Sequence, residues 1–246
     1  TLNALCYEEL LEGHPEHFDW PEFPEDTAAG LCYTSGTTGN PKGALYSHRS
    51  TVLQALMVVL AQGSAFPDGA KVLPVVPLFH VNAWGLPYVA ALAGLSLVMP
   101  GAHLDGPSLF KLMDAEKVYS AWGVPTVWMG LLVEIKVQGR TPEGFSDVLV
   151  GGSAAPRSMI ETFENLGVNV GHAWGMTEMS PIGTHGSMPA YVRRMPFEKR
   201  VDMKAKQGRR VFGVEMKIVD DTGTRLPHDG KTAGELYVRG NTENYK

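Results

Sequence analysis

Apolar positions along the 246-residue chain come in short runs separated by glycine, proline and polar clusters, and their spacing sets the expected elements. The run at 30–34 reads as a buried strand, and the polar, glycine-containing stretch after it leads to a helix over 49–61 with Ser47 as N-cap. Runs at 72–76, 95–100, 118–123, 147–152 and 168–174 read as further strands, and the stretches 83–94, 108–117, 126–138 and 157–166 as helices. Strand and helix alternate, which predicts a layered α/β fold with mainly parallel sheets. Ligands in such sheets sit beyond the carboxyl ends of the strands. The pattern changes in the last third. Alternating residues around Thr222-Gly223 and Asp229-Gly230 predict a β-hairpin, and with it a small β-subdomain over 208–246 following a larger unit over 1–207. The first 30 residues are acidic and carry several prolines, so a surface approach is expected there.

Composition narrows the class. With 44% hydrophobic and 19% charged residues the chain is expected to fold around a substantial core. A formal net charge of -5 argues against a nucleic-acid binder held by a basic surface. Residues 72–102 contain no Asp, Glu, Lys or Arg, yet prolines and glycines divide them into pieces too short to span a bilayer, so the run reads as protein interior and no transmembrane segment is expected. Cys6 and Cys32 show no metal-binding spacing, and a reduced, cytoplasmic protein is expected, with peripheral membrane association of the full-length protein left open. The sequence does not fix an oligomeric state and leaves a homodimer open.

The chemistry starts at residues 34–42. Thr34, Ser35, Thr37 and Thr38 supply hydroxyls, Gly36 and Gly39 leave backbone N–H groups accessible, and Lys42 adds one cation, a set suited to a polyphosphate. The string departs from the pattern GxxxxGK[ST], because Pro41 precedes the lysine and Gly43 follows it. Taken alone, it is also the composition of an ordinary turn.

The string YTSGTTGNPKG (33–43) resembles the phosphate-loop signature of the adenylate-forming superfamily of acyl-CoA synthetases, luciferases and peptide-synthetase adenylation domains. Four further segments resemble that family's motifs in order: LFHVNAWGLPY (78–88), closest to the version in medium- and long-chain fatty-acyl-CoA synthetases, VGGSAAP (150–156), GHAWGMTE (171–178) and GELYVRG (234–240). The resemblance implies catalytic roles for Lys42, His80, Thr177 and Glu178, and magnesium ligation by Thr34 and Glu178. It implies that ATP is lined by Thr34, Ser35, Gly36, Thr37, Thr38, Gly39, Gly152, Ser153, Ala154, His172, Ala173, Trp174, Gly175 and Thr177, with His172 standing where the family commonly has a neutral amide. His80, Val81, Trp84 and Gly152 would border the acyl group, Trp84 as the gate of an apolar tunnel.

The implied partners are a fatty acid, ATP with Mg2+, and CoA as co-substrate. The basic stretch over 192–210 reads as a solvated helix and loop, with Arg193, Arg194, Arg209 and Arg210 as candidates to attract CoA phosphates. The family's ribose-binding Asp and its smaller C-terminal domain are expected to lie outside these residues, as is an N-terminal region, so the chain is expected to be an internal part of a larger enzyme, binding ATP weakly and not completing turnover alone. A nucleotide- or fatty-acid-binding module without turnover, and a ligase for another carboxylic acid, are the alternatives.

Overall fold

The computed structural model describes residues 6–34, 39–62, 66–186 and 189–240. A short helix α1 (Tyr7–Leu11) lies in an exposed N-terminal approach, as its acidic composition predicts. Strands β1 (Ala28–Thr34) and β2 (Lys42–Ser47) follow, pairing antiparallel as a two-stranded sheet of their own. This corrects the expectation of a buried strand running through a loop to a helix: β1 is largely exposed, and a second strand paired with it precedes the helix. Helix α2 (His48–Gln62) begins where expected, with the Ser47 hydroxyl accepting from the Ser50 N–H at 3.0 Å.

The central sheet is built from what comes next. Its strands are β3 (Lys71–Pro74), β4 (Ser96–Leu97), β5 (Ser120–Gly123), β6 (Asp147–Val150) and β7 (Asn169–Gly175). They are connected through a helical turn α3 (Val81–Trp84) and helices α4 (Leu86–Ala93), α5 (Gly106–Glu116), α6 (Pro125–Gln138) and α7 (Arg157–Asn165). Antiparallel β8 (Ile182–His185) and β9 (Arg209–Arg210) complete seven strands in the order β4-β3-β5-β6-β7-β8-β9, the first five parallel. Two short helices, α8 (Ala190–Arg193) and α9 (Phe197–Lys204), link β8 to β9. The last hairpin pairs β10 (Glu215–Val219) with β11 (Glu235–Arg239).

Strands β5 and β6 are buried at every position, which their continuous apolar runs require of a parallel sheet covered on both faces. Trp128, Leu131, Met159, Ile160 and Phe163 from α6 and α7 fill one side, and Val89 and Ala90 from α4 lie in the cluster with Trp122. Each fully buried aliphatic side chain contributes about 2 kcal/mol, and this sheet is the rigid frame on which the loops at its carboxyl edge are carried.

The amino edge is polar and buried. The Asp147 carboxylate accepts from Ser120 Oγ at 2.7 Å and Asn169 Nδ2 at 2.6 Å, and burial raises its pKa. Lys204 is 3% exposed and is held by Glu164 and Asn169. A lysine expected on a solvated basic face is thus an internal ion pair, because α9 turns Val201 and Lys204 inward together.

Nearby His185 is 4% exposed, neither ring nitrogen has a hydrogen-bond partner, and burial pushes its pKa from 6.5 down to about 4. Its neutral form is favoured in the folded chain, so the unfolded chain takes up the proton first as pH falls. Its contribution is complete above pH 6.5 and is lost as pH falls toward 4. The loss amounts to about 3 kcal/mol. Urea unfolding midpoints across that window should therefore depend less on pH in His185→Leu than in the unmodified protein.

Candidate functional site

Three segments come together at the carboxyl edge of the sheet: the β1–β2 hairpin, the loop after β3 and the loop between β7 and β8. On β2, residues two apart share a face, so Lys42, Ala44 and Tyr46 lie together, opposite Thr34, Cys32 and Gly30 of β1. Thr34 pairs with Lys42 at the mouth of the loop. Ser35, Gly36, Thr37 and Thr38 lie outside the described residues, while Gly39 and Lys42 are exposed and Thr34 is half-buried. Deeper on the same face, Cys32, Ala44 and Tyr46 form a small buried cluster with Val81, and Trp84 packs against it.

The second loop leaves β3. His80, exposed, precedes a turn in which Val81, Asn82, Ala83 and Trp84 have φ of 50°, 52°, 51° and 57°. A left-handed turn of four L-residues costs about 1–2 kcal/mol per residue, with β-branched Val81 the least suited. Surrounding contacts hold it: Cys32 Sγ donates to Asn82 Oδ1 at 3.6 Å, and buried Gln54 donates from Nε2 to the Trp84 carbonyl at 3.1 Å. Gly85, at φ 75°, leaves the space that the Gln54 amide occupies. The single helix expected over 83–94 is thus broken at Gly85. The turn directs the Trp84 indole onto Gly151 and Gly152, where a Cβ would stand 3.0 Å and 3.7 Å from the ring. Val81, Trp84 and Gly152 are therefore brought together, and Ser153 and Ala154 beside them are exposed.

The third loop joins β7 to β8. Trp174 packs over Gly183, and Gly175 lies where a Cβ would fall on the Pro181 carbonyl oxygen. Between them Thr177–Met179 make one tight helical turn, with Thr177 and Glu178 half-buried. The Tyr46 hydroxyl donates to the Thr177 carbonyl at 2.7 Å, tying the hairpin to this turn. Burial, with the nearby Cys32 and Glu178, holds the Tyr46 pKa well above its ordinary value, so the hydroxyl remains a donor.

His172 differs from its expected place. Its ring is 1% exposed and faces inward, with Nε2 accepting from the Ala155 N–H at 3.2 Å and Nδ1 placed 3.2 Å from the Lys204 carbonyl. Burial lowers its pKa, and neutral His172 with a proton on Nδ1 satisfies both contacts. The side chain supports the Gly151–Ala155 turn from beneath and has no ring nitrogen left to offer an open cleft. Ala173 and Trp174 are half-buried and Gly175 is exposed. The basic stretch does not converge: Arg193 lines a hollow of about 870 Å³ with Arg200 and Lys204, while Arg209 and Arg210 line another beside β10 and β11.

Sequence reasoning missed Tyr46 and Gln54. The alternation of Ala44 and Tyr46 in KGALYS was the available signal for the first. Gln54, mid-helix and 1% exposed, gave none.

Among the described residues no group of three or more His, Cys, Asp and Glu side chains could cage a metal. Thr34 and Glu178 are hard oxygen donors of the kind that magnesium takes.

The sequence profile of the AMP-binding enzymes matches residues 3–243. The chain belongs to the AMP-binding enzyme family. It is 51% identical over 235 residues to a 3-methylmercaptopropionyl-CoA ligase of Ruegeria lacuscaerulensis, covering 95% of this chain and 44% of that protein. It is 48% identical over 237 residues to a medium-chain-fatty-acid–CoA ligase of Ectopseudomonas oleovorans, covering 96% and 43%. The fold matches, with a TM-score of 0.79 at 24% identity, the o-succinylbenzoate coenzyme A synthetase of Bacillus subtilis in complex with ATP and magnesium ion, covering 97% of this chain and 47% of that one. This AMP-binding chain thus spans less than half the length of the relatives it matches. Its α/β architecture with a mainly parallel central sheet is that of the acyl-CoA synthetase large domain.

Proposed function

We propose that the full-length protein containing this chain activates an aliphatic carboxylic acid with ATP and transfers it to CoA. The observation that carries this is the joining of the β1–β2 hairpin, through Tyr46 and the cluster beneath it, to the Thr177–Glu178 turn and to the loop whose Trp84 indole lies against Gly151 and Gly152. A carboxylate oxygen of the acid attacks the α-phosphorus of ATP, the bond to the bridging oxygen breaks, and pyrophosphate leaves. The CoA thiolate then attacks the acyl carbonyl and AMP leaves. The protein's part is positioning and charge. Lys42 would face the phosphates, the exposed backbone of 152–154 would offer a flat bed for adenine, with Trp174 beside it, and His80, Val81 and Trp84 would border the acid. Magnesium bound with the triphosphate at Glu178 and Thr34 would supply charge neutralisation. Residues 1–207 would form part of the large domain, with a β-subdomain beginning at 208 and β9 at its border.

An apolar acid is favoured over an amino acid because residues 72–102 carry no carboxylate to pair with an ammonium group. The relative acting on 3-methylmercaptopropionate favours a second, narrower reading, a short thioether acid. A panel from acetate to palmitate, with 3-methylmercaptopropionate and an amino acid, separates them. Apolar acids should be preferred, and Trp84→Ala should shift the preferred chain length, changing kcat/KM ratios about tenfold. Equal use of the amino acid, or an unchanged ranking in Trp84→Ala, would contradict the proposal.

A further inference from the structure

Tyr46 lies outside every motif that pointed to the nucleotide, yet it joins the hairpin to the loops after β3 and β7. It is 2% exposed, and its hydroxyl crosses from β2 to the main chain of Thr177 at 2.7 Å. Its ring packs with Cys32, Ala44 and Val81, and Trp84 lies against the same cluster. The hairpin face that carries Tyr46 inward carries the Thr34/Lys42 pair at its outer end, four residues along each strand from the Gly30/Tyr46 pair, so the register of this face fixes where the mouth of the loop lies. The Thr177 carbonyl belongs to the turn that presents Thr177 and Glu178, and it also accepts from the Ser180 N–H at 3.4 Å. A buried phenol could satisfy itself on many acceptors. Here it bonds the turn that carries Thr177 and Glu178.

We propose that Tyr46 is a positioning residue for acyl activation, setting the separation between the Thr34–Lys42 mouth and the Thr177–Glu178 turn so that both engage one magnesium–triphosphate. This rests on the acyl-activating proposal above. Tyr46 touches no reacting atom; it acts through the turn. Removing its hydroxyl leaves the ring packing intact and frees the turn from the hairpin, so the phosphate-side steps should suffer while the binding of the acid does not.

The test is Tyr46→Phe in the full-length protein, read by acid-dependent exchange of labelled pyrophosphate into ATP. The exchange rate constant should fall about tenfold, as the loss of one buried hydrogen bond predicts, and half-saturation by magnesium should rise, while KM for the acid stays within about twofold. A purely structural tyrosine would lower the melting temperature and leave the rate constant and magnesium dependence unchanged, and that result would overturn the proposal. Peptide-resolved amide exchange over 176–182 gives a readout that needs no nucleotide chemistry. The segment should exchange faster in Tyr46→Phe, with β5 and β6 unaltered, and unchanged protection there would also overturn it. Absence of pyrophosphate exchange in the unmodified protein would instead sink the acyl-activating proposal, and the amide measurement would then decide whether Tyr46 holds the turn.

Discussion

Gly175→Ala should destabilise the fold by about 4 kcal/mol or more, in the range reserved for backbone collisions and similar faults, and abolish any activity that depends on the Thr177–Glu178 turn. A methyl at Gly175 falls on the Pro181 carbonyl oxygen, a backbone atom that also accepts the Met176 N–H at 2.9 Å. Neither side can give without opening the loop between β7 and β8, and the strand register already shifts between Trp174 and Gly175. The same substitution at Gly130, inside α6, meets nothing nearer than 3.7 Å and should stabilise by about 0.5–1 kcal/mol through helix propensity. Urea titration of the pair decides it: opposite signs are expected, and equal small effects would mean that the loop does not hold this conformation.

Glu178→Gln should leave the fold intact and reduce ATP-dependent activity of the full-length protein by two orders of magnitude or more, roughly the cost of removing one charge-stabilising group from a phosphoryl site. The substitution keeps shape and removes the charge of a half-buried side chain whose field reaches the Tyr46 hydroxyl. Magnesium titration is the check. Activity in Glu178→Gln should need far more magnesium, and an unchanged magnesium dependence would remove Glu178 from the metal.

The central sheet was legible because burial on both faces imposes continuous apolar runs, as at 147–150 and 120–123. The apolar run 95–100 was read as a full strand, but only Ser96–Leu97 pair, at the sheet's edge. The hairpin was not legible as such. The motif's polar centre drew attention from KGALYS, whose alternation marks it as the partner of β1. Hydrophobic period cannot signal a left-handed backbone either, so the expected helix over 83–94 takes in Ala83 and Trp84 of the turn that sets Trp84 against Gly151. His172 and Lys204 share another cause. Each is a polar residue buried because specific partners from distant segments satisfy it, and such pairings leave no local pattern in the sequence.

The most direct test of acyl activation is isotope exchange between pyrophosphate and ATP catalysed by the full-length protein. Label should enter ATP only when an apolar carboxylic acid and magnesium are both present, and should do so without CoA, because the first step alone reverses. Exchange that ignores the acid, or release of phosphate in place of pyrophosphate, would contradict it.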